Sequence, residues 1–307
     1  MRVISSVAIG LLAFSSVVVS APAKKSHDVV HAPGGSSLYG ITYNALDANG
    51  LCKSQSTITK DVKKYKSNGI INIRTYSQQC NQLDLILKAI KSAGGGMTVL
   101  TAVWIDGNNS NYLSEVKTLT HTLSSNKLSS SYISGVLVGN EVLFNKVISS
   151  SQLAAKIKDV KSKVKSHSLL VGTCEIPPSF TSAVISASDF LVANIHPYFG
   201  QVPASQAAQN LVLQYNNLKK NAKGKPLIVG ETGWPTAGAT NGQSVPSTHN
   251  LQTYVSDIQC IDKSIKYYFF DSVDTPWKAP GVEQHWGLWK SNGASKGIKF
   301  KPTCPKK

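Results

Sequence analysis

The stretch "VLVGNEVLFN" at residues 136–145 sets an Asn-Glu pair directly behind an unbroken apolar run. Apolar residues on consecutive rather than alternating positions mark a strand covered on both faces, as in a parallel sheet. The chain holds only five glutamates, Glu115, Glu141, Glu175, Glu231 and Glu283, so the presence of one at the end of such a strand asks for a reason. Further along, "PLIVGETGWP" (226–235) repeats the arrangement with Glu231.

Outward from these two runs, six others take the same form: "YGITY" (39–43), "INIRTY" (71–76), "MTVLTAVWI" (97–105), "LLVGTC" (169–174), "FLVANIHPY" (190–198) and "YYFFD" (267–271). Their ends stand 23 to 40 residues apart, room for one helix and two short loops each time. Several gaps carry helical periodicity: Leu83, Ile86, Leu87 and Ile90 follow one face, and Leu153, Ile157, Val160 and Val164 another. Eight βα units predict a single-domain (β/α)8 TIM barrel. An open doubly wound sheet is disfavoured, because the first turn, "YGITYNALDANG", lacks GxGxxG.

Ahead of the barrel, Arg2, the apolar run Val7 to Val19 and the small residues "SAPA" read as a signal peptide over 1–20 or 1–23. A short leader follows at 24–38, and the barrel domain takes 39–307. The apolar run is shorter than the about 20 residues a membrane span needs. The expectation is a secreted monomer of the cell exterior or cell wall, with no membrane span. The net charge of +16 favours anionic partners, but the lysines are scattered over helix-like segments such as "KDVKKYK" and "KIKDVKSKVK". That pattern argues against nucleic acid and for retention in an anionic cell-wall polysaccharide matrix. Five cysteines leave one unpaired. Cys52 and Cys80 follow adjacent strands one and two and are expected to pair; Cys260 can meet Cys304; Cys174, inside an apolar strand, is then free. There is no CxxC, HxH or HExxH, so neither metal nor cofactor is expected.

The C-terminal strand ends of a β/α barrel form its active face. Glu141 on strand four and Glu231 on strand seven both fall there. One glutamate behind one strand reads more readily as a helix cap favoured by the macrodipole. Two so placed supply what glycoside hydrolysis needs, one carboxyl protonated for the leaving group and one ionised.

With "VLVGNEVLF", "LIVGETGWP", "IRTYSQQC", "NIHPYFG" and "EQHWGLW", the chain resembles glycoside hydrolase family 17 from about Tyr39 to Trp289, above all its secreted fungal 1,3-β-glucanosyltransferases and endo-glucanases. The resemblance implies a retaining enzyme on 1,3-β-glucan and laminari-oligosaccharides, with Glu141 as acid/base, Glu231 as nucleophile and Asn140 on the sugar 2-hydroxyl. Tyr198 can then donate its hydroxyl to Glu231. Arg74 and Asp106 are further candidates; an arginine inside a buried strand must be paired, and an acidic partner in the barrel mouth fits, in a functional or a purely structural role. Glu175 is either a third acid in the cleft or a loop residue, and Glu283 either a substrate contact or a helix cap. Sugar rings present apolar faces to aromatic platforms; Tyr43, Tyr76, Trp104, Trp234, Trp277 and Phe199 are candidates, whereas Trp286 and Trp289 are assigned to packing behind the barrel.

Only 33 residues separate Tyr198 from Glu231, which leaves no space for the extra subdomain that plant members carry there. A shorter cleft favours glucosyl transfer alongside hydrolysis. The alternative is a non-catalytic glucan-binding barrel, but both carboxylates are in place. A chitin-directed barrel would show DxxDxDxE on strand four, which is absent.

Overall fold

The computed structural model describes residues 38–126, 129–300 and Cys304; the expected signal peptide, and all of the leader but Leu38, lie outside them. Eight strands follow one another as β1 (Gly40–Thr42), β2 (Asn72–Arg74), β3 (Thr98–Val103), β4 (Ile133–Asn140), β5 (Val171–Glu175), β6 (Phe190–Asn194), β7 (Leu227–Thr232) and β8 (Tyr267–Phe269). Each pairs in parallel with its neighbours in sequence, and β8 closes onto β1, Gly40 opposite Tyr268. All eight apolar runs of the sequence form strands of this barrel.

The helices return the chain outside the strands: α1 (Gln55–Ser67), α2 (Gln82–Ser92), α3 (Asn109–Ser125), the one-turn α4 (Ser129–Tyr132), α5 (Ser150–Val164), α6 (Ser182–Ala187), α7 (Ala207–Asn221) and α8 (Thr248–Ile258). Local chemistry fixes their starts. Ser54 and Ser247 cap α1 and α8 through their side chains, and Ser149 and Gln152 form a reciprocal capping box at α5. Their apolar stripes, including Leu83, Ile86, Leu87 and Ile90 of α2, pack on the strands to form the main core. A second, smaller core fills the barrel itself with Leu100, Ala102, Leu137, Cys174, Phe190, Val192 and Tyr268. Between β6 and β7 stand two 3-10 turns and α7, and no added subdomain.

The ladder slips between Leu137 and Asn140 of β4, between Ala193 and Asn194 of β6, and between Val229 and Thr232 of β7. Such irregularities re-aim the side chains that follow them. Here they fall where Asn140, Asn194 and Glu231 enter the barrel mouth. Gly230 is required by close approach: a Cβ there would stand 2.5 Å from Val192 Cγ1, 2.9 Å from Asn194 Oδ1 and 3.0 Å from Cys174 Sγ.

Two disulfides, Cys52–Cys80 and Cys260–Cys304, bind the loops after β1 and β2 and tie Cys304 to the end of α8; Cys174 is free and buried.

Candidate active site

Arg74, wholly buried at the end of β2, organises the mouth. Its Nη1 donates to Glu231 Oε1 at 3.0 Å and to the Gly230 carbonyl at 2.9 Å, and its Nη2 to Asn140 Oδ1 at 2.7 Å. Its guanidinium also stacks on the Tyr76 ring, 4.6 Å from the centroid. The acidic partner that a buried arginine demands is therefore Glu231. Asp106 is exposed and accepts instead from Asn111 of α3.

The second oxygen of Glu231 lies 3.1 Å from His196 Nε2. Burial alone would raise the Glu231 pKa, but the hydrogen bond from His196, the charge of Arg74 and the Tyr76 hydroxyl outweigh it and bring it to about 2. Glu231 is thus held ionised, and its charge makes Nε2 the nitrogen of His196 that carries the proton.

Glu141 follows β4 with φ 54°, a left-handed conformation unusual for a residue with a side chain. Its N–H donates to the Cys174 carbonyl at 2.8 Å. Asn194 at the end of β6 donates from Nδ2 to Glu141 Oε1 at 2.8 Å and to Asn140 Oδ1 at 3.1 Å. Cys174 Sγ, 3.0 Å from Asn194 Oδ1, donates to it and fixes which end of that amide faces the mouth. Burial and the charge of Glu231 raise the Glu141 pKa above the usual range, against the opposing pull of Asn194, His196 and Arg74. The two carboxyl groups are thus driven apart in proton affinity, the condition under which one donates a proton while the other attacks.

Tyr198 does not reach Glu231. A 3-10 turn at Pro197–Gly200 swings it away, and its hydroxyl donates to the Ala239 carbonyl while its ring packs on Trp234, Trp286 and Phe199. His196 occupies the place expected of it. Two of the expected platforms are buried: Tyr43 faces the helix layer and donates to Asp61 of α1, and Trp234, with no exposed surface, donates from Nε1 to the Val245 carbonyl. Trp104, Tyr76 and Trp277 are half-buried, and Phe199 is 51 % exposed. Glu283 stands half-buried in a short 3-10 turn, near enough to Tyr198 for its charge to add to burial in raising that hydroxyl's pKa. Trp289 packs behind the barrel against Tyr65 and Phe300, as assigned, but Trp286 lies against His196, ring centres 5.0 Å apart. His196 and Asn194 escaped the sequence reading; the trace they left is "NIHP", two polar residues closing an apolar strand. Among the described residues no group of three or more His, Cys, Asp or Glu could hold a metal ion.

A parallel β/α barrel whose mouth keeps one carboxyl ionised and raises the proton affinity of its neighbour has the makings of a glycoside hydrolase. Residues 40–287 match the BtgE/BtgC glycoside hydrolase domain, and the chain belongs to that family. It is 33 % identical over 280 residues to a probable beta-glucosidase btgE of Aspergillus terreus, covering 87 % of this chain and 49 % of that protein. A probable glucan endo-1,3-beta-glucosidase btgC of Aspergillus fumigatus is 29 % identical over 283 residues, 82 % of this chain and 40 % of that protein. The chain thus spans half or less of the length of these curated relatives. Among solved structures, the glycoside hydrolase family 17 β-1,3-glucanosyltransferase of Rhizomucor miehei superimposes with a TM-score of 0.80 at 32 % identity, over 87 % of this chain and 98 % of that one. An active-site mutant of that enzyme has been solved with laminaritriose. This chain falls within the same family 17 group.

Proposed function

We propose that the chain cleaves 1,3-β-glucan in two steps with retention of anomeric configuration, and passes the glycosyl group to a sugar hydroxyl as well as to water. What carries this reading is the gathering of Glu141 and Glu231 in one mouth by Arg74, Asn140 and Asn194, in surroundings that raise the Glu141 pKa and lower that of Glu231. Glu231 attacks the anomeric carbon as the bond to the leaving sugar breaks, and Glu141 gives its proton to the departing oxygen. The glycosyl ester so formed is resolved when Glu141, now a carboxylate, takes a proton from water or an acceptor hydroxyl. The oxygen thus freed bonds to the anomeric carbon, and Glu231 leaves as carboxylate.

Asn140 Oδ1 already accepts from Arg74 and Asn194, so its NH2 is the end offered to the substrate 2-hydroxyl. Tyr76, Trp104 and Glu283 line the glucan, with exposed Phe199 as an acceptor platform; the glucanosyltransferase relative supports transfer. The setting proposed is cell-wall glucan remodelling after secretion. Lys219 and Lys220, in the last turn of α7 and in no ion pair among the described residues, lie at the helix end away from the C-terminal strand ends, where they can hold the enzyme in an anionic matrix without blocking the cleft.

Incubation with laminari-oligosaccharides and analysis of the products tests transfer. Products longer than the substrate, increasing with acceptor concentration, are expected. Only shorter products at every concentration would reduce the activity to hydrolysis.

A further inference from the structure

Glu175 ends β5 with its side chain fully buried, and none of the ion pairs among the described residues includes it. Its oxygens face backbone amides. Leu143 N–H donates to Oε1 at 2.8 Å and Phe144 N–H to Oε2 at 3.2 Å, and Val142 N–H also acts on the carboxylate. Those amides belong to the three residues that directly follow Glu141. The same strand end holds the turn from its other side, where the Cys174 carbonyl accepts from Glu141 N–H. We propose that Glu175 is a positioning residue for proton transfer: it grips the 142–144 turn and thereby keeps Glu141 in the left-handed conformation that aims its carboxyl at the leaving oxygen.

An acid buried without a cation is a costly way to fill space, and an apolar side chain would pack there at lower cost. What only an ionised carboxyl provides is two oxygens that both accept, so above about pH 7, where Glu175 is ionised, it satisfies Leu143 and Phe144 together. A glutamine in its place keeps one acceptor but turns an NH2 group toward the other N–H, where two donors repel. The turn would then relax from that side, and a left-handed residue with a Cβ would leave its conformation once the surrounding bonds loosen.

The inference rests on the assignment of Glu141 as general acid, and the test separates the two. Glu175→Gln, Glu175→Asp and Glu141→Gln are compared with wild type on two donors. One is a laminari-oligosaccharide, whose leaving group needs a proton; the other is a dinitrophenyl laminaribioside, followed by its pre-steady-state burst, whose leaving group needs none. Misplacement by about 1 Å costs on the order of 100-fold in a positioned reaction. Glu175→Gln is therefore expected to lower kcat on the oligosaccharide by roughly 10- to 100-fold with KM little changed, while the burst rate falls by less than about 3-fold. Glu175→Asp, which keeps the charge but withdraws it by one methylene, should show the same split even if the glutamine variant folds poorly. Equal losses on both donors, or no loss on either, in variants where Glu141→Gln does show the split, would overturn the positioning role. Absence of the split in Glu141→Gln itself would overturn the acid assignment and this inference with it.

Discussion

Arg74 reaches from β2 across the barrel to β7, and together with His196 it sets the charge of Glu231, the proposed nucleophile. The proposed mechanism requires Glu231 ionised and Glu141 protonated. With Glu231 near 2, kcat/KM should fall on the acid side only as pH approaches that value; on the alkaline side it should fall as pH rises through the raised pKa of Glu141. His196→Ala removes the leading stabiliser of the Glu231 carboxylate, so the acid limb should move upward while the alkaline limb moves less. A pH–rate profile whose acid limb stays in place would contradict this role for His196. Glu141→Gln should reduce glucan cleavage by about 10²- to 10⁴-fold.

The Glu175 carboxyl gives a separate pH signature at the residue scale. Burial, with the charge of Glu141 adding to it, raises its pKa to about 7 despite the amides that pull it down. A folded value above the ordinary 4.5 means that the native state binds the proton more tightly. The stability this provides is complete below about 4.5 and is lost as pH rises through 7. Glu141 acts in the same direction. Denaturant midpoints measured from pH 4.5 to 8 should therefore decline for wild type, and Glu175→Gln should flatten part of that decline.

At the scale of elements, the strands were legible in sequence for a physical reason. Parallel strands sandwiched between barrel interior and helices need apolar residues on both faces, so each announced itself as a continuous run, and the glutamates behind two of them stood out. Side-chain direction beyond a strand end was not legible. Tyr198 follows β6 as the sequence implied, but the 3-10 turn that turns it from Glu231 depends on local dihedrals that no apolar pattern encodes. Arg74 needed an acid, yet that acid lies 157 positions away and is brought near only by barrel closure. Trp234 and Tyr43 stand where platforms would, but Tyr43 turns to Asp61 and Trp234 to the Val245 carbonyl, directions that no apolar pattern encodes. The ladder slips near Asn194 and Glu231 mark where β6 and β7 depart from regular register. Those slips also explain Gly230. Gly230→Ala would drive a methyl into Val192, Asn194 and Cys174. Overpacking of this kind costs about 1–3 kcal/mol, so a lower urea midpoint is expected, with lowered turnover as Asn194 is pushed against Glu141. An unchanged midpoint and unchanged turnover would show that β6 and β7 can separate freely.

On the scale of the whole molecule, the barrel closes by pairing its first strand with its last, and the two disulfides reinforce the places where the chain leaves that closure. Cys260–Cys304 spans 44 residues and encloses β8 together with the segment carrying Glu283 and Trp286. A bridge of this size stabilises by about 2–4 kcal/mol, so Cys260→Ser/Cys304→Ser should unfold at lower denaturant, with Cys174 remaining inaccessible to thiol reagents until unfolding. The barrel then presents the site at one end and helix-end lysines at the other. Retention on an anionic polysaccharide should weaken with added salt, while cleavage of a short neutral oligosaccharide should not.

The proposed chemistry requires that Glu231 form a glycosyl ester which Glu141 helps to resolve. Proton NMR of the anomeric region during the first minutes of laminari-oligosaccharide cleavage tests it most directly, because mutarotation is slow enough to leave the first-formed anomer visible. New reducing ends released from the donor side are expected to appear first as the β anomer and only later equilibrate to α; first appearance as the α anomer would mean direct attack by water and would rule the glycosyl ester out.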